Sequence, residues 1–282
     1  MADTEQQQPV NLPEFTIKPA AGWLPIDLKE LWEYRELLYF FTWRDIKIRY
    51  KQTLLGFAWA VIQPLMTMIV FSVFFGGLAK VSSDGVPYPL FSFAALVPWT
   101  LFSEGITRSS NSMLTNERII TKVYFPRMLI PAASILSPFV DFCISFVILV
   151  ALALYYGVIP TANVVWLPVF VILAMLTALG IGLWVSALNV QYRDFQYTIP
   201  FIVQLLLFAS PVAYSVSIVP AQYQLIYGLN PMVSVIGGFR WALLGISPPG
   251  PMMLVSFVMV LALLVSGAFY FRRMEQTFAD VI

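Results

Sequence analysis

Between Phe142 and Tyr192 the chain runs 51 residues without one Asp, Glu, Lys or Arg. About 20 residues of apolar helix cross a bilayer, so this run alone holds more than one crossing. Its natural break is Tyr155-Tyr156-Gly157-Val158-Ile159-Pro160-Thr161-Ala162-Asn163, where aromatics, Gly, Pro and Asn cluster as in a tight hairpin at a membrane surface. Five further uncharged stretches, 52–79, 85–103, 128–140, 195–239 and 241–271, repeat the theme. Only 11% of the residues are charged and 59% are hydrophobic, against about 25% charged in soluble domains. A water-soluble globule is excluded.

These runs predict an all-α integral membrane protein of six transmembrane helices, near 54–78, 88–110, 131–156, 164–188, 196–214 and 251–271. The stretch 215–247 is apolar but cut by Pro220, Asn230-Pro231 and Gly237-Gly238. Its pieces are too short to cross, and two short re-entrant or interfacial helices are expected there. With six spans, fourteen Lys and Arg fall on one side and only Lys80 and Arg240 on the other. That asymmetry places both termini in the cytoplasm. A seventh span would put Arg272 and Arg273 on the wrong side.

Residues 1–26 form a polar tail with a short Gln run and Pro9, Pro13, Pro19 and Pro25. Without a basic start and an apolar core it does not read as a cleavable signal peptide. Residues 27–51 begin with an Asp27/Glu30 pair resembling a capping box. They predict an amphipathic interfacial helix, with Leu28, Leu31, Trp32, Leu38, Tyr39 and Ile46 on its apolar side. Lys29, Glu33, Glu36, Arg44, Lys47 and Arg49 would stay wet. This helix is either a membrane anchor or a movable gate, since only a link through Thr53 to Gly56 separates it from the first span. The remainder, 52–282, reads as one transmembrane domain.

The chain has no histidine, which removes imidazole acid–base chemistry, Ser-His and Cys-His nucleophiles and His-ligated zinc. No metal site is expected. The single cysteine, Cys143, lies in an apolar run and reads as a small packing residue. A net charge of +1 offers nothing to a nucleic-acid backbone. None of the six lysines follows a glycine, so the chain lacks the Gly-Lys of a phosphate-cradling loop. ATP and Mg, if transport uses them, belong to another polypeptide.

Three groups of residues could carry function. The segment 115–130 between the second and third spans gathers Glu117, Arg118, Lys122 and Arg127 around Val123, Tyr124 and Phe125. It is a compact knob suited to docking in a partner's groove, or a solvated loop that only satisfies topology. Glu104 and Arg108 are spaced for a local ion pair, and Asp141 within the third span needs a polar partner. A proton relay would need a chain of such groups, and no second candidate lies near Asp141 in sequence. Aromatics are dense along the spans: Phe71, Phe74 and Phe75, then Trp99 and Phe102, then Phe201, Phe208 and Tyr214. They pack, face lipid, or offer ring faces to sugars in a pore.

Six ordered motifs carry a resemblance: TWRDIKIRYKQTLLGFAWAVIQP (42–64), TKVYFPRMLIP (121–131), NVQYRDFQYTIPF (189–201), SPVAY (210–214), LNPM (229–232) and FRRMEQTFAD (271–280). The chain after residue 28 resembles the membrane subunits of type-2 ABC exporters for surface polysaccharides such as O-antigen, capsule and teichoic acid. The resemblance implies a homodimer in the inner membrane, paired with two copies of a separate ABC ATPase and enclosing a channel for a lipid-linked polymer. It implies that Trp43, Arg44, Asp45, Arg49 and Tyr50 lie on a gate helix bordering substrate access. Glu117, Arg118, Lys122, Tyr124, Phe125, Pro126 and Arg127 would couple to the ATPase, and Asn230, Pro231 and Arg240 would belong to an external gate. Basic residues at the membrane surface could meet the pyrophosphate of a polyprenyl-linked substrate. The alternatives are a drug or lipid exporter of the same type, and an intramembrane transferase, for which the chain supplies few polar groups.

Overall fold

The computed structural model describes residues 28–51 and 56–278. The polar tail, Asp27 of the expected capping box, the link 52–55 and Asp280 of the last motif lie outside them. Among the described residues every regular element is helical. In chain order these are α1 (Leu28–Glu33), α2 (Arg35–Lys51), α3 (Gly56–Phe71), which continues as a π-helix over Ser72–Leu78, α4 (Tyr88–Thr115) and the one-turn α5 (Glu117–Ile120). There follow α6 (Leu129–Leu136), α7 (Phe139–Tyr155), α8 (Leu167–Gln191), α9 (Phe195–Ala209), the one-turn α10 (Gln224–Tyr227), α11 (Pro231–Leu244) and α12 (Met252–Met274).

Five stretches are long and apolar enough to cross a membrane: Ala58–Leu78, Tyr88–Thr115, Leu129–Tyr155, Ala162–Gln191 and Met252–Thr277. They match five of the six expected spans. The other, expected over 196–214, is the 15-residue α9. At about 1.5 Å per residue it covers about 22 Å, short of a hydrocarbon core of about 30 Å. The helix ends because Ser210 turns extended ahead of Pro211, as residues before proline do. The third span is broken at Ser137-Pro138 into α6 and α7. That break puts Asp141 in the first turn of a new helix instead of deep inside a continuous one.

The stretch 215–247 resolves into 3-10 turns at Val216–Ile218 and Ala221–Tyr223, then α10 and α11. None is long enough to cross; Pro220 and Asn230-Pro231 do mark breaks, whereas Gly237-Gly238, expected to cut the stretch, lies inside α11. Asn230 caps α11 by accepting from the Met232 amide at 3.1 Å, with Pro231 at the first helical position. Gly245 ends it at φ 70°, a left-handed conformation glycine adopts without steric penalty.

The hub of the bundle is α4, buried along most of its length and packed against α3, α6, α7, α8, α9 and α11. Its partner α8 also packs on α12, where small residues let the backbones approach. A Cβ on Gly267 would lie 2.4 Å from the Gly180 carbonyl oxygen. Two contacts define the ends of the bundle. Asn189 Nδ2 donates to the Ser110 carbonyl at 2.9 Å at the end rich in Arg and Lys. At the opposite end the Tyr88 hydroxyl donates to the Ala213 carbonyl at 2.6 Å.

Candidate functional site: an arginine-lined cavity beneath the interfacial helix

Helix α2 has two apolar faces, which its periodicity alone does not separate. Leu37, Leu38 and Phe41, continued into α1 by Leu31 and Tyr34, pack inward on a cluster containing Phe125, Leu129 and Phe271. Trp32, at 69% exposure, points outward with Tyr39, Phe40 and Trp43. The expected single apolar side is therefore corrected: Leu31 and Leu38 face the protein, while Trp32 and Tyr39 turn away. Aromatic rings with one polar edge suit the level of lipid headgroups.

Helix α2 packs on α6, and from its C-terminal half charged side chains reach α4 and the start of α7, where charges that are remote in sequence meet. One terminal nitrogen of Arg49 is 2.7 Å from Asp141 Oδ2 and the other is 3.5 Å from Glu104 Oε2. Glu104 also receives Arg108 Nε at 3.0 Å, the i,i+4 pair expected from the spacing. The Tyr50 hydroxyl donates to Asp141 Oδ1. Burial, reinforced by that hydrogen bond, holds the Tyr50 phenol well above its ordinary range, so it stays a donor. Arg49, expected on a wet face, is thus folded into the protein. Asp141 does have a carboxylate neighbour, Glu104, joined to it through Arg49.

Next to this cluster is a cavity of about 700 Å³ between α2 and the basic end of α4. Four arginines, Arg44, Arg49, Arg108 and Arg118, line it; Asp45 lies in the same wall, and Arg49 and Arg108 are also paired with Glu104 and Asp141 beside it. Arg44 holds Asp45 at 2.8 Å, and its guanidinium lies 5.0 Å from the Phe41 ring. Hydroxyl and amide side chains including Thr107, Asn111 and Ser134 complete the wall. Guanidinium groups with hydroxyls among them bind phosphate-type oxygens through paired N–H donors. The cavity was not legible in the sequence, because Arg108 comes from α4, Arg118 from α5, and Arg44 and Arg49 from α2, far away in the chain.

The segment after α4 divides its expected docking residues. Glu117, Arg118, Lys122 and Tyr124 are exposed, Tyr124 at 80%. Phe125 is only 4% exposed, its ring 5.6 Å from Phe41, and Pro126 is buried beside it. The Arg127 guanidinium donates to the Glu275 carbonyl at 2.6 Å. Phe125 therefore anchors the knob to its own protein instead of projecting.

The aromatic set divides as well. Phe71, Trp99 and Phe102 are buried within the core, so of the three roles open to them they take packing and not a channel surface. Phe74, Phe201 and Phe208 are exposed, Phe75 is partly buried, and Tyr214 hydrogen-bonds the Phe208 carbonyl and the Tyr227 hydroxyl. At the opposite end Asn230 Nδ2 donates to Ser210 Oγ at 2.9 Å. Arg240 is 3% exposed. It donates to the carbonyls of Phe91, Pro211, Val212 and Tyr214 and lies 3.4 Å from the Phe91 ring. Arg240 is a clamp that ties the segment after α9 to α4 and α11, and it has no open face for a passing substrate.

Residues 36–244, well over half of the chain, match the ABC-2 type transporter family. The chain is 30% identical over 260 residues to the O-antigen export system permease protein RfbA of Myxococcus xanthus, covering 90% of this chain and 98% of that protein. It is 26% identical over 248 residues to the permease of the same name from Klebsiella pneumoniae, with 88% and 95% covered. To the polysialic acid transport protein KpsM of Escherichia coli it is 22% identical over 194 residues, with 68% and 75% covered. With its bundle of membrane-length helices and a match that runs from α2 through α11, the chain belongs to the ABC-2 type transporter family.

Proposed function

We propose that this chain is the permease subunit of an ATP-driven exporter that moves an O-antigen-like polysaccharide, carried on polyprenyl pyrophosphate, across the cytoplasmic membrane. The observation that carries the reading is the cavity of about 700 Å³ under α2, with four arginines at its wall. A lipid pyrophosphate at the membrane surface presents the paired oxygens that such a site selects. The names of the relatives supply the polysaccharide, since the RfbA proteins are permeases of O-antigen export. The fourteen-to-two distribution of Lys and Arg supports a cytoplasmic position for α2 and for the knob after α4.

In this reading two copies of the chain form the channel, and two copies of an ABC ATPase, which binds ATP and Mg, drive it. The exposed residues Glu117, Arg118, Lys122 and Tyr124 meet the ATPase, an aromatic and charged set of the kind that dominates docking energies. Phe74, Phe201 and Phe208 offer exposed ring faces to sugars. Deleting the gene in its host and measuring both surface glycan and intracellular polyprenyl-linked glycan tests the proposal. Loss of surface polymer with accumulation of the lipid-linked form inside is expected. Unchanged surface glycan in a host without a redundant exporter would overturn it and favour a drug or lipid as cargo.

A further inference from the structure

Residues 271–278 of the C-terminal motif have no part in the cavity, yet they are tightly held. Phe278 is fully buried, its ring 5.3 Å from that of Phe271. Between them Glu275, whose side chain is only 12% exposed, divides its carboxylate between two elements. Oε1 accepts from the backbone N–H of Arg127 at 3.0 Å, and Oε2 accepts from the Arg272 guanidinium at 2.7 Å. The Arg127 side chain returns to the Glu275 carbonyl. The second terminal nitrogen of Arg272 is 3.8 Å from Glu30 in α1, at the start of the interfacial helix.

The knob after α4 is thereby fastened to the interfacial helix at two points. Phe125 on Phe41 is an apolar contact along α2. Arg127–Glu275–Arg272–Glu30 is a chain to α1 of hydrogen bonds from Arg127 to Glu275 and ion pairs from Arg272 to Glu275 and Glu30. The residues between α5 and these anchors, Lys122, Val123 and Tyr124, face outward. A partner that pushes on Tyr124 displaces a segment with little freedom to move without its anchors. Apolar contacts tolerate sliding, whereas a carboxylate shared between two donors fixes distance and direction.

We infer that Glu275 is a positioning residue that transmits movement of the ATPase-docking knob to the interfacial helix. The inference rests on the reading that residues 117–124 dock the ATPase. It assigns the C-terminal motif a coupling role, with the C-terminal end of α12 as the joint between motor and gate.

The test uses the full permease–ATPase complex in lipid nanodiscs. Hydrogen exchange of the α1 and α2 amides is compared between the nucleotide-free and vanadate-trapped states, alongside ATP hydrolysis. In the parent complex trapping alters exchange in α1 and α2. In Glu275→Gln the complex assembles and hydrolyses ATP, while the nucleotide-dependent difference shrinks by about fivefold or more, the lower range of allosteric couplings. Arg272→Gln, which breaks the link to Glu30 but leaves the Arg127 amide on Glu275, carries the same expectation and serves if the first variant fails to fold. An undiminished nucleotide-dependent difference in a folded variant overturns the inference. Tyr124→Ala separates it from the reading beneath it: if that variant binds the ATPase as tightly as the parent, the docking assignment fails, whatever Glu275 does.

Discussion

Replacing Asp141 with Asn removes one negative charge and almost no volume, which isolates the electrostatic hold on α2. Asp141 accepts from Tyr50 and pairs with Arg49 at 2.7 Å, with the two ionic side chains only 15% and 25% exposed. A hydrogen bond involving a charged group contributes about 1.5–3 kcal/mol, and a neutral one about 0.5–1.5 kcal/mol. Turning the Tyr50 bond from the first kind to the second costs about 1–1.5 kcal/mol, and losing the partly buried Arg49 ion pair costs about as much again, about 2–3 kcal/mol in total. At about 1.4 kcal/mol per tenfold, local opening of the end of α2 becomes roughly 30- to 150-fold more frequent. Hydrogen exchange of the Asp45–Lys51 amides in nanodiscs reads this directly, since exchange through local opening follows its free energy. Tyr50→Phe removes one bond and should give a smaller acceleration. Glu104→Gln should do less again, because Glu104 is 3.5 Å from Arg49 and more exposed. If Asp141→Asn leaves amide protection at residues 45–51 unchanged, Asp141 does not hold the helix and the lock is refuted.

Two further perturbations follow from the packing. Arg240→Met deserts the carbonyls of Phe91, Pro211, Val212 and Tyr214 inside the protein and should cost several kcal/mol, since each buried acceptor left unsatisfied costs about 1–3 kcal/mol. Arg240→Lys should rescue little, because an ammonium cannot span those directions; a lysine variant with parental thermal stability in detergent would show that charge alone suffices. Gly267→Ala places a methyl against the Gly180 carbonyl oxygen and should cost about 1–3 kcal/mol by overpacking, visible as a lowered unfolding temperature. An unshifted transition would mean that α8 and α12 separate without penalty.

What could be read from the chain was what depends on near neighbours in sequence. The uncharged runs set five membrane-length helices because a backbone in hydrocarbon must satisfy its own hydrogen bonds. The Glu104–Arg108 pair followed from i,i+4 spacing, and the break at Asn230-Pro231 from the helix-breaking proline. The family resemblance followed from motifs in order. Tertiary structure decided everything that joins distant segments. Arg49 lies 92 residues before Asp141 in sequence, and no local pattern links them; only the packing of α2 on α6, which brings its charged end to α4 and α7, makes the cluster and the cavity. Tyr124 and Phe125 are adjacent and similar, yet one is outside and the other against Phe41, because the path of the turn after α5 aims them apart. Trp99 and Phe102 were indistinguishable by composition from Phe201 and Phe208. Their helix is the hub of the bundle, surrounded by other helices on every side, and that placement, which hydropathy does not encode, buries the first pair and exposes the second.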